Sequence, residues 1–100
     1  MTFGEAIREA RSALGESQKN LAGQLKKEDG TPISPQYLND IELDRRMPPA
    51  YLIDQLAKRL KLEGDYLYVL AGQLPTDIRV GRYDPAHVQA AFRALRQKRK

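Results

Sequence analysis

Apolar residues recur every three or four positions along most of this chain, which is the spacing of helices that bury one side. The first such repeat runs from Phe3 to Leu14 and stops at Gly15. Thr2 and Glu5 stand ahead of it at the separation of a capping box, in which each side chain bonds the backbone N–H of the other residue. The pattern therefore predicts a first helix from Phe3 to about Leu14.

A second, shorter repeat follows Ser17, whose hydroxyl can cap a helix. We predict this helix from Gln18 to about Leu25 or Lys27. Its buried side would consist of Leu21, Ala22 and Leu25. The next segment, residues 26–32, is polar and contains Gly and Pro, so it is predicted to be a loop.

The third predicted helix has the clearest start and two chemically different sides. Ser34 can cap it, and Pro35 suits the first helical position, where a backbone N–H would have no partner in the helix. At about 100° per residue, the packing side holds Tyr37, Leu38 and Ile41. The outward side holds Gln36, Asn39, Asp40 and Leu43.

That outward side has a chemical use. Gln and Asn can make paired contacts with an adenine edge in the DNA major groove, and an acid can accept a hydrogen bond from cytosine. Taken alone, Gln and Asn on an exposed helix face are more often ordinary solvated residues. The face is therefore either a base-reading surface or a plain solvated one.

Two further core helices are predicted after the third. Pro48 and Pro49 prevent the third helix from continuing past Arg45 and Arg46, and a fourth helix starts near Ala50. Its apolar stripe is Leu52, Ile53, Leu56, Ala57 and Leu60. A fifth, almost continuously apolar helix spans residues 66–71, with Asp65 as its cap and burial expected on more than one side.

The last part of the chain is a connector followed by a basic helix. Residues 73–83 show no clear period, and Asp84-Pro85 restarts a helix. Its thin apolar stripe is Val88, Ala91, Phe92 and Leu95, and its cations are Arg93, Arg96, Lys98, Arg99 and Lys100. The prediction is an all-α fold with one domain at 1–78 and a C-terminal segment at 79–100.

Composition narrows the function classes. One hundred residues suffice for one modest core, and the absence of Cys excludes disulfides, thiolate metal sites and cysteine nucleophiles. No apolar run reaches the roughly 20 residues of a membrane span, and the first residues lack the pattern of a signal peptide. We therefore expect a cytoplasmic protein.

The net charge of +4 is unevenly distributed. Residues 1–78 carry 10 Lys and Arg against 12 Asp and Glu, a net of −2, whereas residues 79–100 carry 7 against 1, a net of +6. A basic tail on a nearly neutral body indicates either a polyanionic partner or a solubilising tail.

Four groups of residues between positions 3 and 74 form a recognisable pattern: Phe3-Gly4-Glu5-Ala6-Ile7-Arg8 with Arg11, Ser17-Gln18-Lys19-Asn20-Leu21-Ala22, Tyr37-Leu38-Asn39-Asp40-Ile41-Glu42 and Arg45-Arg46-Met47-Pro48. With this pattern, residues 3–74 resemble the Xre helix-turn-helix family, the lambda-repressor-like DNA-binding domains. The resemblance implies a compact five-helix domain whose second and third helices form the DNA-binding pair, with a homodimer reading two half-sites at the nucleoid.

The resemblance also assigns roles to individual positions. Base-reading places fall on Pro35, Gln36, Asn39 and Asp40. Phosphate-contacting places fall on Gln18, Lys19, Arg45 and Arg46. Arg11 and Glu42 match an ion pair that ties helix three to helix one. The chain departs from the family at residues 26–32, where several extra residues replace a tight turn, so this loop either alters the helix pair or touches DNA itself.

Other function classes remain as alternatives. Ser17 and Ser34 are better explained as helix caps than as nucleophiles, and His87 as a solvated residue rather than a metal ligand, so neither an enzyme nor a metal or other cofactor is expected. Tyr51, Tyr66 and Tyr68 could stack on single-stranded nucleic acid or belong to the core. The same fold could serve as a protein-interaction module. Within DNA binding, a repressor and an antitoxin whose tail binds a toxin are both open.

Overall fold

The computed structural model describes residues 1–98, and within this range the chain is all-α, as predicted. Arg99 and Lys100, expected to extend the basic helix, lie outside the described residues. No helix in the described range is long and apolar enough to cross a membrane. The seven helices of this range are α1 Phe3–Ala13, α2 Gln18–Gln24, α3 Pro35–Glu42, α4 Ala50–Leu60, α5 Gly64–Leu70, α6 Thr76–Arg79 and α7 Pro85–Lys98.

The starts of the first three helices follow from side-chain caps. Thr2 and Glu5 form the predicted capping box at α1, with both hydrogen bonds at 3.1 Å. The hydrogen bond that the Thr2 N–H donates to the Glu5 carboxyl lowers the pKa of that carboxyl. The hydroxyls of Ser17 and Ser34 each accept a backbone N–H at 3.0 Å and start α2 and α3 where the sequence places them. Local chemistry therefore determines these three boundaries.

One hydrophobic core joins α1 to α5, and α3 packs against both α1 and α2. The predicted apolar stripe of α4 is buried along its whole length. The core residues are Phe3, Ala6, Ile7, Leu21, Ala22, Leu25, Ile33, Leu38, Ile41, Leu52, Ile53, Leu56, Ala57, Leu60, Leu67 and Tyr68. Because its inner side is held by two neighbours, α3 presents its opposite side to solvent.

The predicted loop between α2 and α3 is folded into a small hairpin. Lys26 and Pro32 form an isolated antiparallel bridge, and the N–H of Lys27 donates to the carbonyl of Thr31 at 2.8 Å. Gly30 has φ +87°, the left-handed conformation that closes such a turn. The Asp29 carboxylate accepts from the hydroxyl and N–H of Thr31, and these bonds lower its pKa.

Gln55 attaches this hairpin to α4. Its side-chain oxygen accepts from the N–H of Lys26 at 2.8 Å, and its side-chain nitrogen donates to the carbonyl of the same residue at 2.9 Å. Leu25 and Ile33, at the two ends of the hairpin, are buried and joined by a backbone hydrogen bond of 2.9 Å. The extra residues therefore leave α3 anchored at its start.

Two expectations about the fifth helix were wrong. The helix begins at Gly64 with Glu63 at its cap position, so Asp65 lies within the first turn and does not cap it. Only one side is buried, because Tyr66 and Val69 are 45% and 57% exposed. The core ends at this helix, and its outer side has no neighbouring element to cover it within the described chain.

The C-terminal segment differs from its prediction in one respect. The connector contains α6, a single turn too short to show a hydrophobic period. The predicted basic helix is present as α7, and none of its residues is buried. Its apolar stripe is open to solvent, with Val88 38%, Phe92 46% and Leu95 52% exposed.

The start of α1 lies directly against the end of α3. The N–H of Gly4 donates to Asp44 Oδ1 at 2.8 Å, and the Thr2 hydroxyl donates to Asp44 Oδ2 at 2.6 Å. A Cβ on Gly4 would lie 2.6 Å from the Ile41 carbonyl oxygen and 2.8 Å from Asp44 Oδ1, which is closer than atoms approach without displacement. Only glycine lets these two backbones meet.

We predict that Gly4→Ala lowers the free energy of unfolding by about 1–3 kcal/mol, because the added methyl overpacks this contact. Gly23→Ala is the matched control, since Gly23 is in a helix with open space around it and should gain roughly 0.5–1 kcal/mol. Urea denaturation of both variants measures the difference. If Gly4→Ala and Gly23→Ala have equal free energies of unfolding, the close contact between α1 and the end of α3 does not require glycine.

Candidate nucleic-acid interface

A buried ion pair ties α3 to α1. Arg11 Nε donates to Glu42 Oε2 at 2.7 Å, and a terminal Arg11 nitrogen donates to Glu42 Oε1 at 2.9 Å. The side chains of Arg11 and Glu42 are 14% and 2% exposed. A further Arg11 N–H donates to the Glu16 carbonyl at 2.8 Å, and the hydrogen bond with Glu42 raises the pKa of Arg11. Both planar groups are thus held in a fixed orientation.

Gln18, the first residue of α2, links this ion pair to the outward side of α3. Its side-chain nitrogen lies 3.0 Å from Glu42 Oε1 and 3.1 Å from Asn39 Oδ1. Both N–H groups of the Gln18 amide are therefore directed to partners within the protein. α1, α2 and α3 meet in this set of hydrogen bonds, at the edge of a cleft that Asn39 and Arg8 also line.

The rest of the outward side of α3 holds a second polar group. Gln36 Nε2 donates to Asp40 Oδ1 at 3.1 Å, and an Arg45 nitrogen lies 3.8 Å from the same oxygen. The Arg45 side chain is 65% exposed, so this ion pair is loose. Asp40 thus has a cation beside it, which offsets its charge where α3 would face phosphates.

Arg46 is held by an aromatic ring. Its guanidinium carbon lies 4.5 Å from the centroid of the Tyr37 ring, close enough for a cation–π interaction. Tyr37 was expected only to pack; it also supports the arginine that follows α3. No local pattern indicates this contact, because the two residues meet only after the chain turns at the end of α3. Gln55 was also missed, although a glutamine beside the buried stripe of α4 was the available signal.

The structure brings most of the predicted site residues to one end of the domain. Gln36, Asn39 and Asp40 share the outward side of α3, with Pro35 exposed at its first position. Arg45 and Arg46 follow the same helix. Gln18 reaches α3 from α2, and Lys19 is exposed beside it. The hydrogen-bonding groups of α3 are thus bordered by cations. This arrangement is suited to a polyanion that also carries hydrogen-bonding groups, as a nucleic acid does.

The residues weighed above for other functions cap helices, lie in solvent or pack in the core. Among residues 1–98, no group of three or more His, Cys, Asp or Glu residues could hold a metal ion. The hydroxyls of Ser17 and Ser34 accept backbone N–H groups, and His87 is exposed on α7. Tyr68 is buried and donates to Asp54 at 2.8 Å, and burial raises its pKa, so it is a core residue rather than a stacking platform.

Comparison with known proteins gives one match. A family model described as a helix-turn-helix domain matches residues 4–73, which include α1 from its second residue, α2 to α5 and every predicted site residue. Neither a curated protein nor a solved structure matches the chain.

We predict that replacing one partner of the ion pair destabilises the protein more than replacing both. Arg11→Met or Glu42→Leu leaves an uncompensated buried charge and should cost about 3–5 kcal/mol, whereas the double variant should be nearly as stable as the parent. Thermal denaturation of the four proteins in a double-mutant cycle gives the coupling energy. Arg8→Met, which removes an exposed arginine from the same helix, is the control and should lie within about 0.5 kcal/mol of the parent. If the effects of the two single variants simply add in the double variant, Arg11 and Glu42 are not energetically coupled and the prediction is wrong.

Proposed function

Because this chain belongs to the helix-turn-helix domain family, we propose that it is a sequence-specific regulator of transcription that binds double-stranded DNA with α3 in the major groove. The observation that carries the proposal is the outward side of α3, where hydrogen-bonding side chains lie next to exposed Arg45 and to Arg46. A pure protein adaptor has no need of cations around such a face.

Two sets of residues have different roles in this proposal. Gln36, Asn39, Asp40 and Pro35 face the base edges and carry sequence preference. Arg45, Arg46 and Lys19 contact phosphates and set the position of the domain on the duplex. At Gln18 the phosphate contact falls to the backbone N–H, which has no partner within the helix, because both side-chain N–H groups donate inside the protein.

The regulator acts as a homodimeric repressor at the nucleoid. Two copies place two α3 helices on half-sites about one helical turn apart, and a dimer bound in this way covers a promoter. Repression needs only occupancy of the DNA. This mode suits a chain whose described residues consist of one small domain and a basic helix.

A second candidate function is protein binding through the C-terminal segment, as in an antitoxin that holds its toxin. One observation favours it: Val88, Phe92 and Leu95 form an exposed apolar stripe on α7. Stripes of this kind commonly pack into a groove of another protein. DNA binding by α3 and protein binding by α7 are compatible in one chain.

We predict that base-reading and phosphate-contacting variants behave differently. Gln36→Ala or Asn39→Ala should weaken the preferred operator by about 1–3 kcal/mol and relax preference at one or two base pairs. Arg46→Ala should weaken binding to all sequences alike and reduce the salt slope by about one. Fluorescence anisotropy with the preferred and a scrambled duplex measures both effects. Lys58→Ala removes an exposed cation from α4 and is the control for Arg46. Unchanged sequence preference in both α3 variants would exclude α3 as the reading helix.

We predict that the basic tail strengthens DNA binding without adding specificity. Residues 1–78 have a net charge of −2, so the tail supplies more than the whole positive charge of the chain. If it neutralises roughly three phosphates, deleting residues 79–100 should flatten the plot of log affinity against log salt by about three. Selectivity between duplexes should persist, because the α3 residues remain.

A charge-only variant separates attraction from assembly. Arg93→Gln, Arg96→Gln and Lys98→Gln together keep the apolar stripe of α7 and remove three cations. This variant should lose part of the salt dependence that the deletion loses, because it removes three of the seven cations of residues 79–100. Sedimentation of both proteins reports the assembly state: a dimer with an unchanged salt slope would contradict the electrostatic role, and a monomer after deletion alone would make α7 an assembly element.

A further inference from the structure

The buried carboxylate of Glu42 determines how the Gln18 amide is oriented. A carboxylate bound on both oxygens by an arginine is ionised and can only accept hydrogen bonds. The Gln18 atom that lies 3.0 Å from Glu42 Oε1 must therefore be its nitrogen, because two oxygens at that distance would repel each other. The direction of donation is thus set by charge, independently of how an amide is drawn.

The orientation of the Gln18 amide in turn sets the orientation of the Asn39 amide. The second N–H of the Gln18 amide points at the Asn39 side chain, 3.1 Å away. An N–H donor needs an acceptor opposite it, so Asn39 turns its oxygen toward Gln18. Its NH2 group then faces away from α2. Asn39 therefore presents its NH2 donors to the outward side of α3, and one lone pair of its oxygen is engaged by Gln18.

The other polar group on α3 is oriented with the opposite polarity. Asp40 can only accept, so the Gln36 amide turns its nitrogen toward Asp40 Oδ1, at 3.1 Å. Arg45 approaches that same oxygen at 3.8 Å. The Gln36 oxygen and the second Asp40 oxygen remain for other donors, beside the second N–H of the Gln36 amide. Acceptors therefore outnumber donors among the free groups of Gln36 and Asp40.

We propose that these internal hydrogen bonds preset α3 to read one donor and one acceptor pattern in DNA, an inference that rests on the proposed function. Asn39 donates to a major-groove acceptor, which is guanine N7 or O6, or thymine O4. Gln36 and Asp40 accept from an exocyclic amino group, adenine N6 or cytosine N4. A two-bond adenine contact from Asn39 would have to share the oxygen that already accepts from Gln18, so the NH2 group is the part of Asn39 left wholly available.

The orientation of Asn39 can be tested in the protein alone. Gln18→Met keeps the length of the side chain and removes its hydrogen bonds, so the Asn39 side-chain NH2 signals in a nitrogen–proton NMR spectrum should shift and broaden. Gln24→Met, another glutamine on α2, is the matched control and should leave those signals in place. Asn39 signals that are indifferent to Gln18→Met would overturn the inference, whatever the protein binds.

Base analogues test the polarity on DNA. A preferred duplex is first selected from random sequences, and Asn39→Ala and Gln36→Ala identify the base pair that each side chain reads. At the Asn39 position, an analogue lacking the acceptor, such as 7-deazaguanine, should weaken binding by about 5- to 150-fold. At the Gln36 position, an analogue lacking the amino group, such as purine in place of adenine, should have the same effect. Neither analogue should weaken binding of the matching alanine variant further.

The possible outcomes distinguish a failure of this inference from a failure of the proposed function. A protein that selects no sequence at all overturns the proposed function, and the inference with it. A protein that selects a sequence but responds to the two analogues in reverse, or to neither, overturns the inference and leaves sequence-specific DNA binding in place.

Discussion

The carboxylate of Glu42 lies in the core with 2% of its side chain exposed, and its need for partners organises the surrounding helices. A buried charge is tolerated only when it is paired and hydrogen-bonded. Arg11 comes from α1 and Gln18 from α2, so satisfying one residue of α3 brings three helices to fixed relative positions. Apolar packing is not directional, whereas these hydrogen bonds are. The rotation of α3 about its own axis is therefore set by polar contacts rather than by the core alone.

Further contacts hold the two ends of α3. Its first turn is capped by Ser34, which follows the anchored hairpin, and Asp44 beyond its last turn binds the start of α1 through Gly4. These attachments use the ends and the inner side of the helix. The outward side of α3 is not used for these attachments, so its side chains are available to bind a partner. In the proposed function, stability and recognition are thus divided between different residues of one short helix.

Local chemistry explains which features the sequence could predict. The caps at Thr2, Ser17 and Ser34 and the stripe of α4 depend on neighbours within one turn, and all of them were predicted correctly. The hairpin at 26–32 and the stacking of Arg46 on Tyr37 depend on which segments meet in space. The helix start at Gly64 was misplaced because Asp65 is equally suited to a cap and to a first turn. The internal orientation of the α3 side chains follows from a buried charge, which no periodicity reveals.

Because of the two hydrogen bonds between Gln55 and Lys26, the position of α3 does not depend on the length of the linker before it. A tight turn between two helices transmits any inserted residue directly into their angle. Here the chain is fastened at Lys26 and buried again at Ile33, so the hairpin tip at Glu28 and Asp29 lies outside both attachment points. Residues added at the tip would lengthen a solvent-exposed loop and leave the helices in register. The tip is thus a place where extra residues or a fluorescent label can be attached without disturbing α3.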